Sequence, residues 1–470
     1  MPWPLVAVLA VQATLSARLV RARTAFGDEA LYLSAGHLEW AHWLHGTQIP
    51  AYQTWFSGAP VIYPPVGAIA DSLGGLTAAR LLSLVFMLGV TSLLWSTANR
   101  LLADERAAFF GAALFAVLAP TLHLGSFATY DAPALLLLAA AAWCASGTRD
   151  GAHPTRRIIA AGILLALANA TKYATALYDP TVLGLIVLGT WTRAGKREAA
   201  RSGAVLAGAA AAVLGGLLAF GGSGYLTGIR VTTTGRPHGT DPASLAFGDA
   251  WSWTAAVMVP ALIAVAAGLV FDRTGRRRRP LALLLAVLAL SALLAPAEQA
   301  RIQTVTSLEK HVDFGAWFAA IAAGYLLSLL SARRIVLAVS LAAFPPLAVL
   351  GAVQARAMLD WPDEAALVKV VQPMTARGGH FLVETSDVLQ YYLPDTTWQQ
   401  WSNTEGNSLE YYQQAIARHY YSLIVLDFSQ TPAADSAITL ALSATSGYRL
   451  TARVPSGKTT FYLWQYVGLV

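Results

Sequence analysis

The sequence predicts a polytopic α-helical membrane protein that ends in a small α/β domain. Two observations carry this. Of 470 residues, 56% are hydrophobic and only 12% are charged, a balance outside the range of water-soluble globules. Apolar stretches recur from the N-terminus to Val353, each about long enough to cross a hydrocarbon core of about 30 Å, where every backbone polar group must be satisfied within its own helix. Beyond Val353 the apolar runs shorten and charge returns.

The first stretch, residues 1–20, has an apolar core with no basic residue before it and no well-placed small-residue cleavage site, so it reads as an uncleaved span. The others are Ala79 to Ala98, Ala107 to Leu122, Ala132 to Ala145, Ile158 to Ala170, Thr175 to Trp191, Gly203 to Phe220, Trp253 to Phe271, Leu281 to Ala295, Phe314 to Leu330 and Ile335 to Val353, eleven in all. The short loops orient them. Arg100 and Arg106, Arg149 with Arg156 and Arg157, Arg193 to Arg201, Arg273 with Arg276 to Arg279, and Arg333 with Arg334 put sixteen basic residues on alternate loops. These loops are read as cytoplasmic, which places the N-terminus inside and the tail outside. Arg18, Arg21 and Arg23 run against this bias at the outer end of the first span. The Arg276 to Arg279 run beside a span is a topology anchor, and nucleic acid is not expected as a partner.

The expected division is a transmembrane catalytic domain, 1–353, with a long first extracytoplasmic loop at 22–78, and an extracytoplasmic α/β domain, 354–470. In the tail, His380 to Glu384, Ser422 to Asp427, Tyr448 to Val454 and Thr459 to Tyr466 read as strands, while Ser408 to Arg418 and Ala433 to Ser443 have helical spacing. The single cysteine, Cys144, excludes an intramolecular disulfide and reads as packing. High Ala, Gly and Arg with little Lys suggests a bacterial source rich in G and C, and hence a bacterial plasma membrane.

The chemistry is expected in the outer loops. Asp28-Glu29 follows the first span, Asp131 opens the fourth, Lys172 closes the fifth, and Lys310-His311 precedes the tenth. On the predicted topology all reach one face. A carboxylate just above a span is costly unless solvated or engaged. Asp131 has a simpler reading as a helix N-terminal acid, Lys172 as a snorkelling side chain, and the aromatics of the first loop, Trp40 to Phe56, as an interfacial belt. Two carboxylates on one face could take a proton from an acceptor hydroxyl or hold Mg²⁺ or Mn²⁺, a divalent cation left optional here. The lysines and His311 suit a lipid phosphate.

In this order, an acid after the first span, Tyr63-Pro-Pro65 in the loop, Ala-Ala-Arg80 opening the second span, an Asp opening the fourth and a Lys closing the fifth, residues 26–173 resemble the GT-C-type membrane glycosyltransferases. The likeness is to the branch with protein O-mannosyltransferases and lipid A aminoarabinose transferases. It implies transfer of a hexosyl or pentosyl group from a polyprenyl-phosphate carrier to a glycan, lipid or protein acceptor in the cell envelope. The same likeness assigns catalytic acid positions to Asp28 and Asp131 and substrate-binding positions to Glu29, Tyr63, Arg80 and Lys172. With that assignment Asp28 is expected to be the general base, and Lys310 and His311 to hold the leaving phosphate. The α/β tail departs from the β-trefoil of eukaryotic mannosyltransferases. A transporter or lipid flippase is the rival reading, but it would place charges near the bilayer midplane rather than at span ends.

Overall fold

The computed structural model describes residues 2–147, 154–270, 278–331 and 334–468. Of the loop basic residues, Arg149, Arg273, Arg276, Arg277 and Arg333 lie outside them. The chain divides into two compact units, Met1–Arg21 with Leu38–Met358, and Ala22–His37 with Leu359–Val470.

The first unit is helical, and among the described residues helices overlie each apolar stretch, the one at 107–122 being broken at Val117 and Leu118. Among the described residues six helical segments are long and apolar enough to cross a membrane: Tyr63–Leu102, Lys196–Thr232, Ala243–Leu269, Pro280–Arg301, Leu308–Leu330 and Leu337–Ala357. Trp3–Ala17 and Asp131–Ser146 are shorter and apolar. Their burial differs widely. Leu308–Leu330 runs through the unit's interior, whereas Lys196–Thr232 and Leu337–Ala357 bury almost nothing. Phe220 is 96% exposed and Val349 65%. So much exposed apolar surface is stable only against lipid.

Glycines shape two of these helices. Gly75, at φ 64°, breaks Tyr63–Leu102 into an initial segment carrying Tyr63-Pro-Pro65 and the apolar stretch from Ala79 onward. Gly222, at φ 69°, breaks Lys196–Thr232 just past the stretch expected to end at Phe220. Both lie in a region that L side chains rarely enter. Thr91 donates to Gln12 Oε1 at 2.7 Å, tying the first helix to the Tyr63–Leu102 helix.

The second unit holds a five-stranded sheet with strands β1 (His380–Val383), β2 (Trp401–Ser402), β3 (Tyr421–Leu426), β4 (Tyr448–Ser456) and β5 (Thr459–Tyr466). The order is β2-β1-β3-β5-β4. β1 pairs in parallel with β2 and β3, and β5 runs antiparallel to β3 and β4. β1 and β3 are near-continuous apolar runs because both faces of the sheet are covered. Phe381, Val383, Leu423 and Val425 pack into one cluster with Leu367 and Val371, and Leu382, Ile424 and Leu426 into another with Ile416 and Ile438.

Two findings depart from the expected layout. The boundary after Val353 moves to Met358, and residues 22–37, expected in the membrane part, pack with the C-terminal residues. The cause is local. Arg23 Nη1 donates to the Trp361 carbonyl at 2.6 Å, Trp361 Nε1 to the Thr24 carbonyl at 3.1 Å, and the Glu364 amide to Thr24 Oγ1 at 2.9 Å. These bonds place the anomalous Arg23 where its charge serves packing within this unit. Helices Ala365–Thr375 and Asp387–Tyr392 were not expected from the sequence, nor was β2.

Candidate functional site

In the first unit, helix Pro154–Thr171 ends at the lysine that the sequence singled out. Its terminus is held by the loop at 57–59. The Ala59 amide donates to the Ala170 carbonyl at 2.7 Å, and the Tyr173 amide to the Ser57 carbonyl at 2.9 Å. Gly58 makes the approach possible, since a Cβ there would lie 2.0 Å from the Thr171 carbonyl oxygen. So held, Lys172 places its Nζ 2.9 Å from Asp131 Oδ1, and the side chains are 6% and 1% exposed. Asp131 Oδ2 accepts from Thr129 Oγ1 at 2.8 Å. A buried pair of this kind is tolerated only with such geometry and added hydrogen bonds.

A further cation, Lys310, and a neutral imidazole, His311, lie beside the pair. Lys310 and His311 lie within electrostatic reach of Asp131. Lys310 Nζ sits 5.5 Å from the Phe127 ring centroid, and His123 stacks on Phe127 with centroids 4.7 Å apart. Gln299 Nε2 lies 3.2 Å from His311 Nδ1. As an amide NH₂ can only donate, this contact makes Nδ1 the acceptor and leaves the proton on Nε2. That buried Nε2 has no hydrogen-bond partner among the described residues. It is a donor waiting for an acceptor.

Beside this cluster, in the same unit, lies a cavity of about 880 Å³. Asn169, Tyr173 and Asp179 form a polar part, and Leu214, Leu217 and Leu218 belong to its apolar wall. Asn169 donates to Asp179 Oδ2 at 2.9 Å. The Tyr173 hydroxyl is buried with no hydrogen-bond partner among the described residues.

Of the remaining expected residues, Tyr63 and Arg80 border the cluster, Arg80 within electrostatic reach of His123, while Asp28 and Glu29 belong to the second unit. Tyr63 is 2% exposed, its ring 5.7 Å from that of Tyr130. Arg80 is also 2% exposed, and its Nη1 donates to the Val20 carbonyl at 2.9 Å, so part of its hydrogen-bonding capacity holds the chain after the first helix. Glu29 is fully buried and its Oε2 accepts from the Phe26 amide at 3.0 Å. That contact caps the N-terminus of helix Gly27–His45 and keeps Glu29 from solvent. Asp28, in the second unit, is half-buried and lines a separate cavity of about 360 Å³. His123, Gln299 and Tyr173 were not singled out from the sequence. Each lies just past the end of an expected span, His123 after Leu122, Tyr173 after Ala170 and Gln299 after Ala295, the same placement that drew attention to Lys172.

In the second unit Glu384 anchors the segment after β3. It accepts from the amides of Asp427 at 2.9 Å and Thr431 at 2.8 Å, and also from that of Gln430. Burial would raise its pKa, but hydrogen bonds from Asp427, Asp435 and these amides hold it below the ordinary range. Other carboxyls move the opposite way. Burial first, then Asp427, Asp387 and Asp363, pushes Glu364 up to about 8. Burial, then Asp28 and Glu405, pushes Asp387 up to about 7. Both therefore bind a proton more tightly folded than unfolded. Between the ordinary carboxyl value near about 4 and these folded values, stability falls as pH rises. Hydrogen exchange of the β1 and β3 amides, corrected for intrinsic rates, should show more protection at pH 5.5 than at pH 8.5. Glu364→Gln should remove much of the difference and raise stability at pH 8.5. Flat protection across this window would show that Glu364 is ionised without strain.

Among the described residues no three His, Cys, Asp or Glu side chains converge closely enough to hold a metal ion. Residues 68–215 match the family described as dolichyl-phosphate-mannose-protein mannosyltransferase. No curated protein matches the chain in sequence. Solved structures do match. The archaeal oligosaccharyltransferase AglB from Archaeoglobus fulgidus, in complex with an inhibitory peptide and a dolichol-phosphate, superposes with a TM-score of 0.60 at 12% identity, covering 98% of this chain and 74% of that one. ArnT from Cupriavidus metallidurans, in the apo state, superposes with a TM-score of 0.51 at 14% identity, covering 97% of each chain. The fold is that of the GT-C glycosyltransferases. In GT-C terms, the matched residues 68–215 include Arg80, Asp131 and Lys172.

Proposed function

We propose that this GT-C protein is a multi-pass plasma-membrane enzyme of bacteria that transfers a sugar from a polyprenyl-phosphate carrier to an acceptor hydroxyl on the extracytoplasmic side. The observation that carries the reading is the buried cluster of two cations, Lys172 and Lys310, and the His311 donor around Asp131, beside a cavity large and apolar enough for a lipid chain. On this reading the isoprenoid lies along the Leu214 to Leu218 wall, and its phosphate reaches Lys172, Lys310 and the Nε2 proton of His311. The acceptor oxygen attacks the anomeric carbon, the bond from that carbon to the phosphate oxygen breaks, and the acceptor proton passes to Asp28. Charge growing on the departing phosphate is met by cations already in place, which is where electrostatic catalysis acts most strongly.

The topology belongs to the same proposal: eleven spans, the N-terminus in the cytoplasm, and residues 359–470 with 22–37 folded as an extracytoplasmic α/β domain. The helices over each apolar stretch and the five-stranded sheet support it. The transporter reading gains no support, because the cations sit at helix ends, Lys172 just beyond Thr171 and Lys310 in the first turn of Leu308–Leu330.

The test is direct. The purified protein in nanodiscs is incubated with radiolabelled polyprenyl-phosphate hexoses and pentoses and an envelope extract. Label should leave the lipid and appear in an acceptor. Label that stays on every donor, while labelled lipid crosses a vesicle bilayer, would instead make the protein a flippase.

A further inference from the structure

The cavity at Asp28 is built for positive charge. Its lining includes Asp28, Glu364, Asp387, Glu405 and Asp427 and, among the described residues, no Lys, Arg or His. Two other acids on its wall are already engaged: Asp360 by Lys458 Nζ at 2.7 Å, and Glu384 by the amides that it anchors. Glu364 is different. It is 9% exposed, lines the cavity, and its carboxylate has no hydrogen-bond or ion-pair partner among the described residues. Its charged neighbours, Asp427, Asp387 and Asp363, are all acids. A buried carboxylate facing only like charge costs several kcal/mol unless it is protonated or meets a cation.

Size and chemistry narrow the occupant. The carboxylates ring about 360 Å³ rather than converging on a point, which suits an organic cation of several heavy atoms better than a bare ion. Phe26 and Trp361 also line it, their centroids 5.2 Å apart, and aromatic faces attract ammonium and guanidinium groups. Asp28 belongs to the same wall. On the transferase reading Asp28 takes the acceptor's proton, so whatever fills this cavity is the acceptor.

We infer that the Glu364 cavity selects an acceptor that carries an ammonium or guanidinium group beside the hydroxyl to be glycosylated. This deepens the proposed function and rests on it for the word acceptor, but binding at the cavity can be read without transfer. The full chain in nanodiscs, without donor, is titrated calorimetrically with arginine amide and with citrulline amide, its neutral near-isostere. Arginine amide should bind at least about tenfold more tightly, a difference of about 1.4 kcal/mol. Glu364→Gln should shrink the ratio to about threefold or less while citrulline amide binding stays the same, and Asp387→Asn, made in parallel, should shrink it in the same direction. Equal affinity of the two probes, no binding of arginine amide up to about 10 mM, or an unchanged ratio in both variants would overturn the inference. Donor consumption by wild type is measured separately. Selective binding without donor consumption removes the transferase reading and leaves a cation site, whereas donor consumption without selective binding removes only the cation site.

Discussion

Asp28→Asn should lower sugar transfer by about 10²- to 10⁴-fold, the usual contribution of a positioned general base, with the donor KM nearly unchanged. The substitution keeps size and position at the start of helix Gly27–His45 and removes only the ability to accept a proton. The loss should therefore appear in kcat, as expected of an interaction made in the transition state alone. Asp28 is suited to the role because it is half-buried on a cavity wall, reachable by an acceptor yet shielded from bulk water. Glu29 cannot replace it, being fully buried and used as a cap. Asp131 is a poor substitute too, since its carboxylate is held by Lys172 and Thr129. Undiminished kcat in Asp28→Asn, measured with donor and acceptor both saturating, would remove Asp28 from the chemistry.

The second large effect concerns that buried pair. Lys172→Met leaves the Asp131 carboxylate 1% exposed without its counter-ion, and stranding one partner of such a pair costs about 3–5 kcal/mol. Thermal unfolding in detergent should register the loss as a drop of roughly 10 °C. Lys172→Met combined with Asp131→Asn removes both charges and should recover most of the stability. Transfer should remain lost in the double variant, because the cation for the lipid phosphate is still missing. If the double variant were as unstable as the single one, the cost would lie in packing around Lys172 rather than in the unpaired acid. Recovery of activity along with stability would confine the pair to a structural role.

The membrane helices were legible because each depends on one dominant quantity, the length of an apolar run, and their breaks at Gly75 and Gly222 follow from a backbone conformation that few residues adopt. The strands β1, β3, β4 and β5 were legible for a similar reason. What could not be read depends on partners distant in sequence. Residues 22–37 join the C-terminal unit through bonds from Arg23 and Thr24 to Trp361 and Glu364, more than three hundred positions away, and composition carries no trace of such pairings. Candidate residues divided along the same line. Asp131, Lys172, Lys310 and His311 could be grouped because all stand at span ends, and the structure brings them together. Arg80 and Glu29 met the same criterion, and each also makes a backbone hydrogen bond, at Val20 and Phe26. Motif order alone carries no information on such backbone bonds.

The clasp at Gly58 has a kinetic corollary. The bond from Ala59 to the Ala170 carbonyl joins residues more than a hundred positions apart, and closing so long a loop must wait until the intervening helices exist. During synthesis Lys172 therefore emerges well after Asp131, and the acid spends that interval without its counter-ion. A nascent chain stalled before Lys172 has left the ribosome should be unusually vulnerable to membrane proteases, and one stalled well beyond that point should not.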